Sequence, residues 1–402
     1  MLQWIIGRIF RRRHYWRNVS FDEVAELYVS RLIMVFAVNI VGLFMALYLY
    51  ELGYSVLFIL ILYGAVFALK APFAFVSAKY IAYFGPKHGV LMANILRVPS
   101  MIAMFFVPQY GLPAVIIFSV LQNMAASLYN VSYLIDFSKV RHIGHAGKEL
   151  GTMQLIERFA RVISPLAGGV LATLFGPGVV IIVATVLFMV SSIPLFRTIE
   201  PISIRGRIKI QGFPWRLTWR GFVAQAATGH DYVVSGTVWV LFVAIAVFST
   251  FGNAAYTALG SLFSVGVFMS MAAAWLFGKI IDKRKGDALF TAGVVASAAL
   301  HAFRPFVSTP ATVVGANVVN EIGTAAYVLP WTRGMFDTAD TSGHRILYFA
   351  LMQVWQDIGS ALACVSAALL VWIWGVMPGL QLFFVLAAVV ELSLLTGRRY
   401  TK

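Results

Sequence analysis

Charge is what this chain has least of. Of its 402 residues only 12% are charged, against 60% hydrophobic, a balance outside the range of soluble globular domains. Acidic residues are the scarcer kind, 16 against 31 Lys and Arg. Cysteine is almost missing: Cys364 stands alone in an apolar run, which excludes an intrachain disulfide and a thiolate metal site. The seven histidines are scattered without ligand spacing, so no metal and no cofactor is expected. No Gly-x-x-x-x-Gly-Lys-Ser/Thr loop occurs, which argues against ATP drive within this chain. No His/Asp or Ser/His pair recurs at a shared depth, so an enzyme is not expected.

What the chain has instead are apolar runs from end to end. Each is ~20 residues, the length that crosses ~30 Å of hydrocarbon as a helix. They do not alternate as barrel strands would. The expectation is an all-α polytopic membrane protein with twelve spans, at about 31–50, 56–78, 88–108, 112–134, 150–174, 178–196, 232–250, 255–277, 288–306, 311–332, 345–374 and 377–396. Gly176-Pro177-Gly178 and Met377-Pro378-Gly379 mark two of the short connections.

The basic residues fix the orientation. Twenty-six of the 31 fall in the termini and in the connections on one side of a twelve-span layout. The opposite side holds essentially none, Arg304 at the end of span 9 being the nearest case. The positive-inside rule places both termini in the cytoplasm, and a multi-pass protein of the plasma (inner) membrane is expected. The charge of +15 is thus topology, and no nucleic-acid partner is needed. Four basic residues remain inside spans: Lys70, Arg97, Arg158 and Arg161.

The expected segments are a basic stretch 1–30, six spans over 31–196, a central connection 197–231, six spans over 232–396 and a tail 397–402. In the first, Trp4, Ile5, Ile6, Ile9 and Phe10 alternate with arginines, which fits an amphipathic helix on an anionic leaflet; a plain basic tail fits as well. Trp215, Trp219 and Phe222 give the central connection an interfacial character.

The two halves resemble each other at an offset near 200. Leu121-Gln122-Asn123 through Tyr129 aligns with Val319-Asn320-Glu321 through Tyr327, Met153-Gln154 with Met352-Gln353, Glu157-Arg158 with Gln356-Asp357, and Lys79 with Lys279. Several matches in order indicate a duplicated six-span unit. Parallel repeats of this kind occur in transporters whose site lies between the repeats near the bilayer midplane.

With these features the sequence resembles the major facilitator superfamily over essentially its whole length. Gly278-Lys279-Ile280-Ile281-Asp282-Lys283 is similar to the family signature between spans 8 and 9, and Ser164-Pro165-Leu166-Ala167-Gly168-Gly169 to the element of its fifth span. The first-half copy of the signature is degraded, with Ala82 in place of the aspartate, and the span 4 arginine of many proton-coupled drug exporters is missing. The resemblance implies a gate at Lys279, Asp282 and Lys283. The other reading is that these charges only set topology.

The residues that could carry chemistry lie inside the spans. Gln154, Glu157, Arg158 and Arg161 recur at i, i+3, i+4 and i+7 on span 5, and Gln353, Gln356, Asp357 and Ser360 repeat the stripe on span 11. Spans 4 and 10 add Asn123, Asn320 and Glu321, and Lys70 lies deep in span 2. Charge in lipid is costly, ~2.5–3.5 kcal/mol per central residue, so these stripes should face protein or a wet cavity. Lys70, Arg158 and Arg161, with Asn123, Gln154, Asn320 and Gln353, are candidates to bind a carboxylate or phosphate. Glu157, Glu321 and Asp357 are candidates to take up a proton. Span 5 then forms a cationic wall and span 11 an acidic one. The competing reading is structural: a fixed Glu157–Arg161 pair, and Lys70 paired with an acid across the bundle. Arg97 is expected to snorkel near the outer leaflet and Glu391 to be structural.

The function expected is secondary active transport of a small polar or anionic solute by a monomer, coupled to protons or sodium. Export of a lipid or amphipathic drug, and a non-transporting receptor or scaffold on the same fold, stay open beside it. Membrane lipids are the other partner expected.

Overall fold

The computed structural model describes residues 21–140, 146–196, 210–249, 252, 254–282 and 285–401. Among them all regular structure is helical. Span 1 is Phe21–Gly42 continued by Met45–Glu51; spans 2 to 6 are Val56–Phe84, Pro86–Phe105, Leu112–Val140, Ala146–Phe175 and Pro177–Ser192. Span 7 is Trp215–Val233, a π-helical turn Val234–Val238, and Trp239–Ala246. Spans 8 to 12 are Ala254–Asp282, Gly286–Phe303, Pro310–Thr341, Arg345–Trp374 and Val376–Glu391, the last followed by a 3-10 segment Leu392–Tyr400. Eleven of these are apolar enough to cross a membrane by hydropathy. Span 10 is long enough at 32 residues, but Asn317, Asn320 and Glu321 dilute its apolar content. The basic segment 1–20 lies outside the described residues.

Helix boundaries follow local chemistry. Gly85 (φ 91°) and Gly176 (φ 85°) end one helix in the left-handed region, and the next residue, Pro86 or Pro177, opens the following one. Glycine tolerates that backbone and proline is pre-set for a first helical turn, so spans 2 and 3, and 5 and 6, turn back sharply.

One boundary differs from expectation. The connection foreseen over 197–231 is helical from Trp215 onward, and Thr218, Gly221, Phe222, Ala224 and Gln225 are buried there. The polar residues of this stretch read as a loop, but they face neighbouring helices rather than lipid. Phe222 stacks on Phe213 and Trp355 instead of lying at the interface, whereas Trp215 and Trp219 are half exposed.

The packing repeats with the sequence. Spans 1–5, 1–6, 2–4, 3–4 and 3–6 are neighbours, and so are 7–11, 7–12, 8–10, 9–10 and 9–12. The halves meet along two seams, span 2 on span 11 and span 5 on span 8, which the duplication interchanges. In the span 5–8 seam a Cβ on Gly169 would strike the Tyr256 carbonyl, and one on Gly260 the Pro165 carbonyl. Small residues let the backbones touch, as helix association in lipid requires.

The end of the bundle away from both termini is closed. Tyr256 donates to Glu51, Thr173 and Thr257 share a hydrogen bond of 2.8 Å, and Phe44 packs edge-on against Tyr256 with centroids 5.4 Å apart.

Candidate functional site

Below the closed end, a second set of polar contacts joins the halves at mid-depth. Lys70 Nζ lies 2.9 Å from Asp357 Oδ1, both buried. Gln353 Nε2 donates to the same oxygen at 2.8 Å, and Asn130 Nδ2 donates to Gln353 Oε1 at 3.3 Å. In the other seam Arg158 Nη1 donates to Ser270 Oγ at 2.7 Å. These two bridges are equivalents: Lys70 and Ser270 are 200 positions apart, Arg158 and Asp357 199. The duplication has kept the contact and changed its chemistry. One bridge is an ion pair; the other holds a cation against a neutral hydroxyl.

The same substitution pattern runs deeper. Arg31 Nε donates to Glu157 Oε1 at 2.8 Å, tying span 1 to span 5, and its guanidinium lies over Tyr133 at 4.0 Å. In the second half Gln225 Nε2 donates to Gln356 Oε1 at 3.0 Å, tying span 7 to span 11. Arg161 Nη2 reaches Glu157 at 3.5 Å. Helical rotation of 100° per residue directs Arg161 between Glu157 and Arg158, so it points to the space that spans 1, 5 and 8 surround. Its side chain is 51% exposed there. Glu321 on span 10 packs against Gly266 and lies within electrostatic range of Arg158 and Arg161. Lys70 and Asp357 balance each other, while Glu157 is shared between Arg31 and Arg161, so Arg31, Arg158 and Arg161 together meet only Glu157 and Glu321 among the described acids. Among the described residues, Arg31, Lys70, Glu157, Arg158, Arg161, Glu321 and Asp357 carry one positive charge in excess, and two when Glu321 is neutral.

The candidate residues thus separate. Lys70, Arg158, Arg161, Gln353, Glu157, Glu321 and Asp357 gather at mid-depth. Asn123 bonds the carbonyl of Ser119 in its own helix at 2.6 Å. Asn320 turns away from the cavity and accepts from Arg304 Nη2 at 2.8 Å. Span 11 is no free acidic wall, because Lys70 neutralises Asp357. The side chains of Gln154, Lys279 and Asp282, and all of Lys283, lie outside the described residues.

Arg97 does not snorkel. It is 3% exposed, lies over Tyr129 at 4.8 Å and over Phe188 at 5.2 Å, and donates to Asn94 at 3.3 Å. Aromatic faces and an amide supply what the interface was expected to. Arg304, taken for a boundary residue, is fully buried on Trp239 at 4.8 Å. A His/acid pair that the sequence did not reveal is present: His301 Nε2 lies 3.0 Å from Asp231 Oδ1. Asp231 had been placed in a connection, where its depth could not be matched to that of His301.

No curated protein sequence matches the chain. Its fold is similar to the crystal structure of a POT family transporter in complex with a thioalcohol-conjugated peptide, at 9% identity and a TM-score of 0.69, covering 92% of this chain and 94% of that one. It is also similar to the peptide transporter POT in complex with sulfate, at 12% identity and a TM-score of 0.72, over 94% and 95% of the two chains. At such identities the likeness shows the fold. Residues 27–363 match the Major Facilitator Superfamily, and with most of its length inside that match the chain belongs to this superfamily of transporters.

Proposed function

We propose that the protein carries a small anionic or zwitterionic solute across the membrane by alternating access, with a proton as coupling ion. Spans 1–6 and 7–12 act as two bundles that rock about the two mid-depth bridges. Both termini are cytoplasmic and the closed end faces outward, in the plasma membrane. The observation that carries this reading is the pair of equivalent bridges, Lys70–Asp357 and Arg158–Ser270, of which the second leaves a cation uncompensated. A carboxylate or phosphate would complete Arg158 and Arg161 by paired hydrogen bonds. Of the similar structures, one was solved with sulfate, an anion, and one with a thioalcohol-conjugated peptide.

Glu321 supplies the coupling. Ionised, it competes with the solute for the two arginines; protonated, it releases them. Solute and proton then enter together, because each makes the other's binding more favourable. Asp357, relieved of Lys70 when the seam opens, is a second acceptor.

The test is reconstitution in liposomes with an internal pH dye and a screen of carboxylates, phosphates and short peptides. Solute-dependent acidification is expected in the wild type. In E321Q solute exchange should persist while proton movement is lost, since the amide imitates the protonated acid. Proton movement unaltered in E321Q would remove Glu321 from the coupling step.

A further inference from the structure

A second charged cluster is sealed behind the cavity, within spans 7, 9, 10 and 12. Asp231 Oδ1 lies 3.0 Å from His301 Nε2 and accepts from Ser235 Oγ at 2.8 Å; its Oδ2 accepts from Tyr327 at 2.5 Å. Glu391 Oε2 lies 3.9 Å from the same His301 nitrogen. One polar atom from each of Asp231, His301 and Glu391 falls within 4.8 Å of the others, and all three residues are buried. The Ser297 hydroxyl on span 9 faces Glu391, but neither Glu391 oxygen has a partner at full hydrogen-bond geometry, and neither does His301 Nδ1.

The charges do not close as they stand. Asp231 and Glu391 bring two negative charges and Arg304 one positive, beside a neutral imidazole. A net charge at this depth is costly unless compensated. The other groups facing the cluster are His230 on span 7, Tyr327 and, at longer range, Glu321 on span 10. Span 11 offers only Ser360, which bonds the Gly229 carbonyl at 2.8 Å. None of these supplies the missing positive charge. One proton would. A divalent cation would instead leave one positive charge in excess beside the Arg304 guanidinium.

We infer that Asp231, His301 and Glu391 form a sealed site that holds one proton, with His301 between the two carboxyl groups. The π-helical turn Val234–Val238 begins three residues after Asp231, and such turns frequently mark functional sites. Ser235 within it has one hydrogen to donate and two acceptors in reach, Asp231 at 2.8 Å and Asn320 at 3.0 Å. Charge at Asp231 decides between them. The proton thereby acts on the joint between Trp215–Val233 and Trp239–Ala246, the piece of span 7 that packs on Met45–Glu51 at the closed end.

The experiment is thermal unfolding of the purified full chain across pH, with and without zinc chloride. A proton held only by the folded protein stabilises at low pH, and that stability is lost as pH rises through its release. The wild-type midpoint should fall by several degrees between about pH 6 and about pH 9. E391Q and, as a second way to remove the charge, E391M should abolish that fall and match or exceed the wild type at the alkaline end. A fall of wild-type size in both variants, or variants destabilised at every pH, would overturn the assignment. So would zinc raising the midpoint of the wild type but not of H301Q, which would make the site a metal site. Neither readout involves solute or flux, so the result is independent of the transport reading.

Discussion

Spans 5 and 11 hold corresponding positions in the duplicated unit, yet they solve the problem of buried polarity differently. Span 5 carries Glu157, Arg158 and Arg161, and draws Arg31 from span 1 to balance the acid. Span 11 carries Gln356, Asp357 and Ser360, and settles the first and last with an amide and a carbonyl of span 7. The one charge of this stripe, Asp357, is answered across the seam by Lys70. One wall is therefore closed electrostatically, while the other retains more cations than acids: Arg158 rests on a hydroxyl, and Arg161 shares Glu157 with Arg31. Duplication gives two seams of one geometry, and in the proposed function the difference between them is where a solute's charge enters.

The sharpest way to break the comparison is to unpair the closed wall. K70A leaves Asp357 buried without its counter-charge and should cost about 3–5 kcal/mol of stability, read as a large fall in thermal midpoint, with transport lost. K70M combined with D357L should recover most of that stability without recovering transport. Gly169→Leu attacks the other seam sterically, because a side chain there meets the Tyr256 carbonyl. Overpacking should cost about 1–3 kcal/mol and loosen the closed end, measured as increased labelling of a cysteine placed at Thr257.

Two smaller effects sharpen the comparison. Ser270→Asp converts the span 5–8 bridge into an ion pair like that of span 2–11. It should hold or raise the thermal midpoint while depressing solute affinity, since Arg158 is then occupied. Unchanged affinity would detach Arg158 from binding. Asp287→Asn removes the exposed pair with Arg398, 3.2 Å apart, and should leave the thermal midpoint near the wild-type value and transport intact, since solvent screens such a pair.

The stripe on span 5 and its counterpart on span 11 are legible in sequence because helical periodicity and an internal repeat are local or regularly spaced signals. Lys70 opposite an acid was legible as an alternative. The partners themselves were not. Arg31 lies 126 positions from Glu157, Ser270 112 from Arg158, and His301 70 from Asp231. Arg31 counted as part of the basic tail, and Asp231 as part of a connection, because span 7 begins in a stretch whose polar residues face other helices. Arg97 and Arg304 read as interfacial because aromatic faces as cation partners leave no spacing pattern. The duplication does carry a usable signal: an offset of 199 relates Arg158 to Asp357, and one of 200 relates Lys70 to Ser270.

The central claim is that the seams part and re-form around the mid-depth bridges. Thr173 and Thr257, 2.8 Å apart at the closed end, allow it to be tested directly. With Cys364 replaced by alanine, the T173C/T257C protein is reconstituted and its transport measured after oxidation and again after reduction. The account predicts that the disulfide arrests transport and that reduction restores it. Transport that continues undiminished with the crosslink formed would contradict it.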